Sequence, residues 1–410
     1  MRFPDSFLFG TATSATQIEG HCTTGDWHAF AREPGRIRHG DTPDVACDGW
    51  HRWPEDVALQ KTLGMGAYRL SIEWARIEPQ ADTIDRGALD TYRRMLGALH
   101  DAGIEPMVTL HHFTLPQWLA ERGGLLAGGF ALRLARFARV AVDALGDLCR
   151  LWITINEPNI LAAHGYLLGV WPPARRSAVA AFRAQRRLLD AHDGAYRALK
   201  EARGDDVQVG VAHHLRVVQP ERPGSRRDRA AAALYRRVFN DAFAVAACKR
   251  RTQDFFGINY YSRDVVRFSR AKAGELFVSR GVPPGAEVSD LGWEIYPEGL
   301  GELVRTWGRR SGLPVYVTEN GIADAADGKR GPFLERHLTE LARAIAEGFD
   351  VRGYFHWSLL DNFEWAEGYE PRFGLVEVDY ATQERRPRPS AHLYARIARE
   401  RSVQRAGASV

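Results

Sequence analysis

Only four cysteines occur in 410 residues, at positions 22, 47, 149 and 248, and none forms a CxxC pair. That scatter excludes a disulfide framework and a thiolate zinc site and fits a reducing compartment, so the chain is expected to be cytoplasmic. No apolar run approaches the roughly 18 to 20 residues of a membrane span, and "MRFPDSFLFG" at the start has no charged leader before a long apolar segment. Neither sign of charge dominates, since 55 Lys and Arg against 51 Asp and Glu leave a net charge of +4. The basic runs "PARRS", "RAQRR" and "GSRRDR" lack interleaved aromatics, so they read as solvated surface and no nucleic-acid partner is expected. Neither GxxxxGK[ST] nor GxGxxG is present, which removes motif support for nucleotide chemistry.

What the chain does have is a recurring alternation. Segments rich in β-branched and aromatic residues begin at Phe7 ("FLFGTATSA"), Gly66 ("GAYRLSIEW"), Ile104 ("IEPMVTLHH"), Leu151 ("LWITINEP"), Val207 ("VQVGVAHHL"), Asp254 ("DFFGINYYS"), Pro314 ("PVYVTENG") and Val351 ("VRGYFHWSLLDN"). Amphipathic stretches with helical spacing, such as "RGALDTYRRMLGALHDAG", lie between most of them. Parallel neighbours need such crossovers, and eight units predict an α/β fold, a closed (β/α)8 TIM barrel, as one domain over residues 1–400. Residues 401–410 are expected to form a flexible tail, and irregular connections are expected near 171–187, 220–229 and 267–290.

Barrels of this kind carry function at the C-terminal ends of their strands. Every apolar run here stops on polar or aromatic residues: Gln17 and Glu19; Glu73 and Trp74; His111 and His112; Asn156 and Glu157; His213 and His214; Asn259, Tyr260 and Tyr261; Glu319 and Asn320; Trp357, Asp361 and Asn362. Two of these ends place a glutamate beside an asparagine, Glu157 in "INEP" and Glu319 in "TEN". Across a barrel mouth such a pair can divide acid/base and nucleophile roles if their surroundings push their pKa values apart. Either glutamate alone would read as a helix cap or an arginine partner. Trp74, Trp293, Trp357 and Trp365 change that reading, because flat apolar platforms beside Gln17, His112, Asn156 and Glu364 suit a sugar's C–H face and hydroxyl rim. A metal is not expected: the pairs His111-His112 and His213-His214 each turn only one ring inward, and no HExxH spacing occurs.

These stretches resemble the retaining β-glycosidases of glycoside hydrolase family 1, from "FLFGTATSATQIEG" through "YRLSIEWARIEP", "TLHHFTLPQWL", "WITINEP", "FGINYY", "GWEIYPEGL" and "VTENG" to "GYFHWSLLDNFEWAEGYEPRFGL". The resemblance covers about residues 3 to 398 and by itself implies the barrel. It implies Glu157 as acid/base and Glu319 as nucleophile, with Asn156 at the sugar 2-hydroxyl. Gln17, His112, Glu364 and Trp365 would bind the glycone, Trp357 would lie beneath it, and Trp293 would border the aglycone. Arg69, Tyr261 and Asn259 would support the pair. Glu319 is then expected to be ionised, and Glu157 to hold a proton near neutral pH. Where the family commonly has Tyr-His-Trp-Asp this chain has His111-His112-Phe113-Thr114, so Phe113 replaces an indole donor. The Ser and Lys pattern of the phospho-glycosidase branch is absent, which favours a neutral hexoside.

The expectation is an exo-acting retaining β-glycosidase, β-glucosidase first with β-galactosidase or β-fucosidase activity beside it, working through a covalent glycosyl-enzyme. Its partner would be a small β-glycoside, with no membrane and no cofactor. Alternatives are a transglycosylase using the same intermediate and an inactive sugar-binding protein.

Overall fold

The computed structural model describes residues 1–403. Eight parallel strands close on themselves: β1 (Leu8–Ala12), β2 (Ala67–Ser71), β3 (Glu105–His111), β4 (Leu151–Asn156), β5 (Gln208–His214), β6 (Phe255–Asn259), β7 (Val315–Asn320) and β8 (Val351–Trp357). Closure is made by β1 against β8, with Leu8 opposite Gly353 and Ala12 opposite Trp357. Each strand lies inside one of the eight apolar segments, because β-branched runs buried on both faces have no stable alternative in a chain this rich in crossovers. Leu151, Ile153, Met107, Ala212, Phe255 and Phe355 fill the barrel interior. Trp152, Val108, Val211, Phe256 and Val317 belong to the larger apolar layer beneath the outer helices.

Helices cover the outside, among them Arg86–Asp101, Phe130–Leu145, Ala178–Arg203, Glu298–Ser311, Arg330–Ala346 and Pro389–Glu400. Asp85 starts the first of these by accepting the Ala88 N–H at 3.0 Å, an N-cap that satisfies one of the open donors there. The three connections expected to be irregular carry regular structure. Ser177 caps a helix that begins at Ala178, within 171–187, and Ser225 caps Arg226–Tyr235, overlapping 220–229. Strands Arg263–Phe268 and Val278–Gly281 flank and enter 267–290 and join Val217–Pro220 in a small sheet following β5 and β6. In each helix a serine oxygen anchors an alanine-rich run, a start signal that works over only a few residues.

Residues 401–403 pair with the chain start: the Phe3 N–H donates to Arg401 O at 2.8 Å and the Val403 N–H to Met1 O at 2.9 Å. The rest of the expected flexible tail, 404–410, lies outside the described residues. Among the described residues no helix is long and apolar enough to cross a membrane.

Irregularities in strand pairing fall where the carboxylates sit. The β4–β5 register shifts between Ile153 and Asn156, and β7 shifts against β6 between Val317 and Glu319. Such a bulge re-aims side chains that plain alternation would send to opposite faces. Thr154 accordingly hydrogen-bonds His192 on an outer helix and Ile155 joins the outer apolar layer, while Asn156 and Glu157 both enter the mouth.

Candidate active site

Glu319 and Glu157 stand at the C-terminal ends of β7 and β4, only 3% and 6% exposed. Burying two carboxyls demands strong partners. Arg69, wholly buried on β2, donates through Nη1 to Glu319 Oε1 at 2.5 Å and to Thr318 O at 2.9 Å. Its Nη2 donates to Asn156 Oδ1 at 2.6 Å and its Nε to Thr109 Oγ1 at 3.2 Å. The Tyr261 hydroxyl donates to the other oxygen of Glu319, Oε2, at 2.6 Å. Both oxygens of Glu319 are therefore occupied by donors, one of them a permanent cation.

Glu157 is held differently. Its backbone is left-handed (φ 44°), Pro158 follows as the first residue of the short helix Pro158–Ala162, and its N–H donates to Ala212 O at 2.8 Å. Proline suits that position because the missing N–H would be unpaired there anyway. Asn259 Nδ2 and His214 Nδ1 both reach Glu157 Oε1 at 2.9 Å. Among the described residues, Oε2 receives no protein donor. Asn259 also donates to Asn156 Oδ1 at 3.1 Å and accepts from Thr318 Oγ1 at 2.6 Å. The chain Arg69–Asn156–Asn259 thus links Glu319 to Glu157.

Most of the remaining predicted residues gather around this pair; Trp74 does not, since its ring stacks on Phe137 of an outer helix at 4.9 Å and its Nε1 donates to Glu78 at 2.9 Å. Gln17 Nε2 donates to Asn362 Oδ1 at 2.8 Å and lies 3.5 Å from Glu364 Oε2. The His112 ring is stacked between Trp357 and Trp365, with centroids 5.9 and 6.1 Å away. Asn156 Nδ2 sits 3.1 Å from His112 Nε2. Trp293 meets the Tyr261 ring edge-on at 5.8 Å. Phe113 is buried against His112, Trp171 and Trp365, and presents no donor. Among the described residues, two buried polar atoms in this floor have no protein partner, His112 Nδ1 and Glu364 Oε1. Buried polar atoms are nearly always hydrogen-bonded, so both are suited to hydrogen-bond a hydroxyl-bearing ligand.

Sequence reasoning placed His214 at a strand end without a task and left out Arg216. The structure sets His214 against Glu157 and stacks it on Tyr261 at 6.1 Å. Arg216 Nε donates to His214 Nε2 at 3.1 Å, and Arg216 is itself paired with Asp264 at 3.0 Å. The signal was available in part: His213 and His214 must face opposite ways on β5, and His213 is spent outward on Gln253 and Phe256.

Electrostatics follow from counting charges. Glu157, Glu319 and Glu364 surround one unshared cation, Arg69. Burial pushes Glu364 up to about 8, with the charge on Glu319 raising it further. Burial likewise pushes Glu319 up to about 7, opposed by Arg69 and Tyr261 and reinforced by the charge on Glu157. Glu157 is buried too, but a charged His214 with the His214 and Asn259 hydrogen bonds would hold it below the ordinary carboxylate range. That direction is opposite to the sequence expectation, and its main source is an imidazolium. With the Arg216 N–H aimed at Nε2, Nδ1 is the ring nitrogen that donates to Glu157, and the Asn259 hydrogen bond and the charge on Arg69 lower Glu157 as well.

A carboxylate pair bridged by amides, ringed by indoles and set at the C-terminal mouth of a (β/α)8 barrel defines an O-glycosyl hydrolase. The family model for glycosyl hydrolase family 1 matches residues 1–251 and 246–403. Beta-glucosidase A of Thermotoga maritima is 36% identical over 446 aligned residues, covering 98% of this chain and 99% of that protein. A bifunctional beta-D-glucosidase/beta-D-fucosidase of Bifidobacterium breve is 35% identical, covering 98% and 100%. The structure of the Thermotoga maritima beta-glucosidase in complex with glucoimidazole superposes with a TM-score of 0.92 at 34% identity, over 98% of this chain and 100% of that one. The chain belongs to glycosyl hydrolase family 1.

Proposed function

We propose that this enzyme removes a terminal β-linked neutral hexose, glucose first, by double displacement. Glu319 is the nucleophile and Glu157 the acid/base. The observation that carries the assignment is the asymmetry of donors: both Glu319 oxygens are filled, one by Arg69, whereas Glu157 keeps Oε2 free. The proton shared by the pair costs fewest hydrogen bonds on that free oxygen, so Glu157 is the acid. Glu319 attacks the anomeric carbon while Glu157 protonates the departing oxygen. Glu157 then takes a proton from the water that releases the sugar.

Gln17, His112, Asn156 and Glu364 bind the glycone hydroxyls, Trp357 and Trp365 carry its apolar face, and Trp293 borders the aglycone. His112 Nδ1 and Glu364 Oε1 gain the partners they lack in the free protein. A phosphorylated sugar would add charge to a site already holding three carboxyls and one unshared cation, which supports neutral substrates. The similar proteins named for glucosidase and fucosidase activity support the same range. A cytoplasmic location is supported by four unpaired cysteines, Cys47 and Cys149 being buried thiols.

A panel of nitrophenyl glycosides differing in sugar and anomer tests the proposal. Turnover is expected with β-glucoside and, more weakly, with β-galactoside or β-fucoside; preference for an α-anomer would overturn it. The pH profile tests the acid. The proton that Glu157 donates is the last to leave the coupled pair, so kcat/KM is expected to fall on the alkaline side, and Glu157→Gln should erase this limb.

A further inference from the structure

Several histidines outside the catalytic mouth are buried and hydrogen-bonded. His192 lies between Thr154 and Thr252, His213 bonds Gln253, and His337 bonds Phe333 O. One set stands apart, on the surface between β1 and the helix Gly49–Thr62. His21 Nε2 lies 2.9 Å from Asp48 Oδ1, and His51 Nδ1 lies 2.6 Å from the same oxygen. The two ring centroids lie 4.7 Å apart, with the planes tilted by 57°. Among the described residues this is the one group of three such side chains whose ligand atoms all fall within 4.8 Å of one another.

The backbone holds these side chains in place. His21 and Asp48 are both left-handed, with φ of 56° and 48°, an uncommon state for residues other than glycine. Gly20 runs directly under the neighbouring segment, where a Cβ would meet Val45 O at 2.2 Å. Three backbone hydrogen bonds clamp the two segments together, His21 N to Asp44 O, Cys47 N to Ile18 O and Trp50 N to Glu19 O at 2.6 to 3.1 Å, and a turn within the second segment, Asp48 N to Val45 O at 2.7 Å, sets the backbone at Asp48. His51 comes from the first turn of the helix that Asp48 begins. Three donors from two clamped segments therefore converge without needing the chain to fold around a ligand, which is the expensive part of binding a metal.

We propose that His21, Asp48 and His51 form a site for a zinc-class divalent cation. Two imidazole nitrogens and one carboxylate oxygen suit zinc, cobalt or nickel; calcium and magnesium prefer all-oxygen sets. Metal–ligand bonds of 2.0 to 2.2 Å in a tetrahedron place ligand atoms about 3.3 Å apart, so the nitrogen–oxygen spacings of 2.9 and 2.6 Å open by about 0.4 and 0.7 Å on binding, within reach of side-chain rotation at an exposed site. The cation takes the place of the ring protons now shared with Asp48, and Asp48 enters as the ionised ligand. The side chains are 38%, 24% and 61% exposed in the order His21, Asp48, His51, which leaves the fourth position to water. The site differs from the pairs His111-His112 and His213-His214, whose rings face barrel and core. Occupied, it ties the loop after β1 to the helix Gly49–Thr62 and stabilises the folded state by mass action.

The test is titration of the chelator-treated, untagged enzyme with zinc chloride by calorimetry, together with cobalt(II) absorption spectroscopy. About one equivalent is expected, with the d–d bands of a four-coordinate cobalt site. His21→Ala and His51→Ala should each weaken binding at least about tenfold, while His39→Ala, another exposed histidine, should leave it unchanged. Thermal unfolding in chelator shows that the variants fold, and the rise in Tm on adding zinc should be confined to proteins retaining both rings. Absence of saturable binding, or binding that survives both substitutions or falls equally with His39→Ala, would overturn the site.

Discussion

Glu319→Ala is expected to lower turnover on the order of 10⁴-fold or more, because in the proposed mechanism it removes the group that forms the covalent intermediate. The loss leaves a small cavity between the Arg69 guanidinium and the Tyr261 hydroxyl, both of which had been donating to the missing carboxylate. An anion the size of azide or formate fits such a gap and is attracted by Arg69. Added azide should then restore part of the rate on an activated aryl glucoside by attacking the same face that Glu319 attacks. The product is the α-glucosyl azide, of inverted configuration, and its anomeric proton coupling in NMR identifies it. Removing one partner of a buried ion pair also costs about 3 to 5 kcal/mol of stability, so Glu319→Gln is the companion variant, keeping the volume and one acceptor for Arg69. Near-normal activity in either variant would refute the assignment.

Glu157→Ala should separate substrates by leaving group. General acid assistance is worth about 10² to 10⁴ in rate, and an alkyl glucoside, whose alkoxide cannot leave unprotonated, should lose all of it. A dinitrophenyl glucoside needs little protonation, so its first step should proceed almost normally and the glycosyl-enzyme should accumulate because no base activates water. Azide now intercepts that intermediate from the opposite face and gives the β-azide, with retained configuration. The two substitutions thus yield azides of opposite anomeric configuration. Equal losses for both leaving groups would show that Glu157 is not the acid.

Much of this was legible in the residues. All eight barrel strands fall inside β-branched runs, because such runs have one low-energy fate in an alternating chain. The polar residues at their ends could be assigned to one mouth because parallel strands all point the same way. The helix from Ala178 was harder to see: an alanine- and arginine-rich stretch behind "WPPARRS" has weak amphipathic contrast, and its start rests on a single Ser177 cap. The position of His214 against Glu157 was harder still, since the pair His213-His214 says that one ring turns inward but not what it will meet.

The barrel and the mouth at which its polar residues collect could be read from local stretches of residues, as could the two glutamates proposed to act there. How those glutamates are presented could not. Plain alternation along β4 would send Asn156 and Glu157 to opposite faces; the register shift against β5 turns both into the mouth. A parallel shift beside Glu319 lets Thr318 and Glu319 join one network. The division of donors was equally out of reach, because Arg69 and Glu319 lie 250 residues apart in the chain. Register depends on the neighbouring strand and charge balance on groups brought in from distant segments, and neither is a property of any local stretch of sequence.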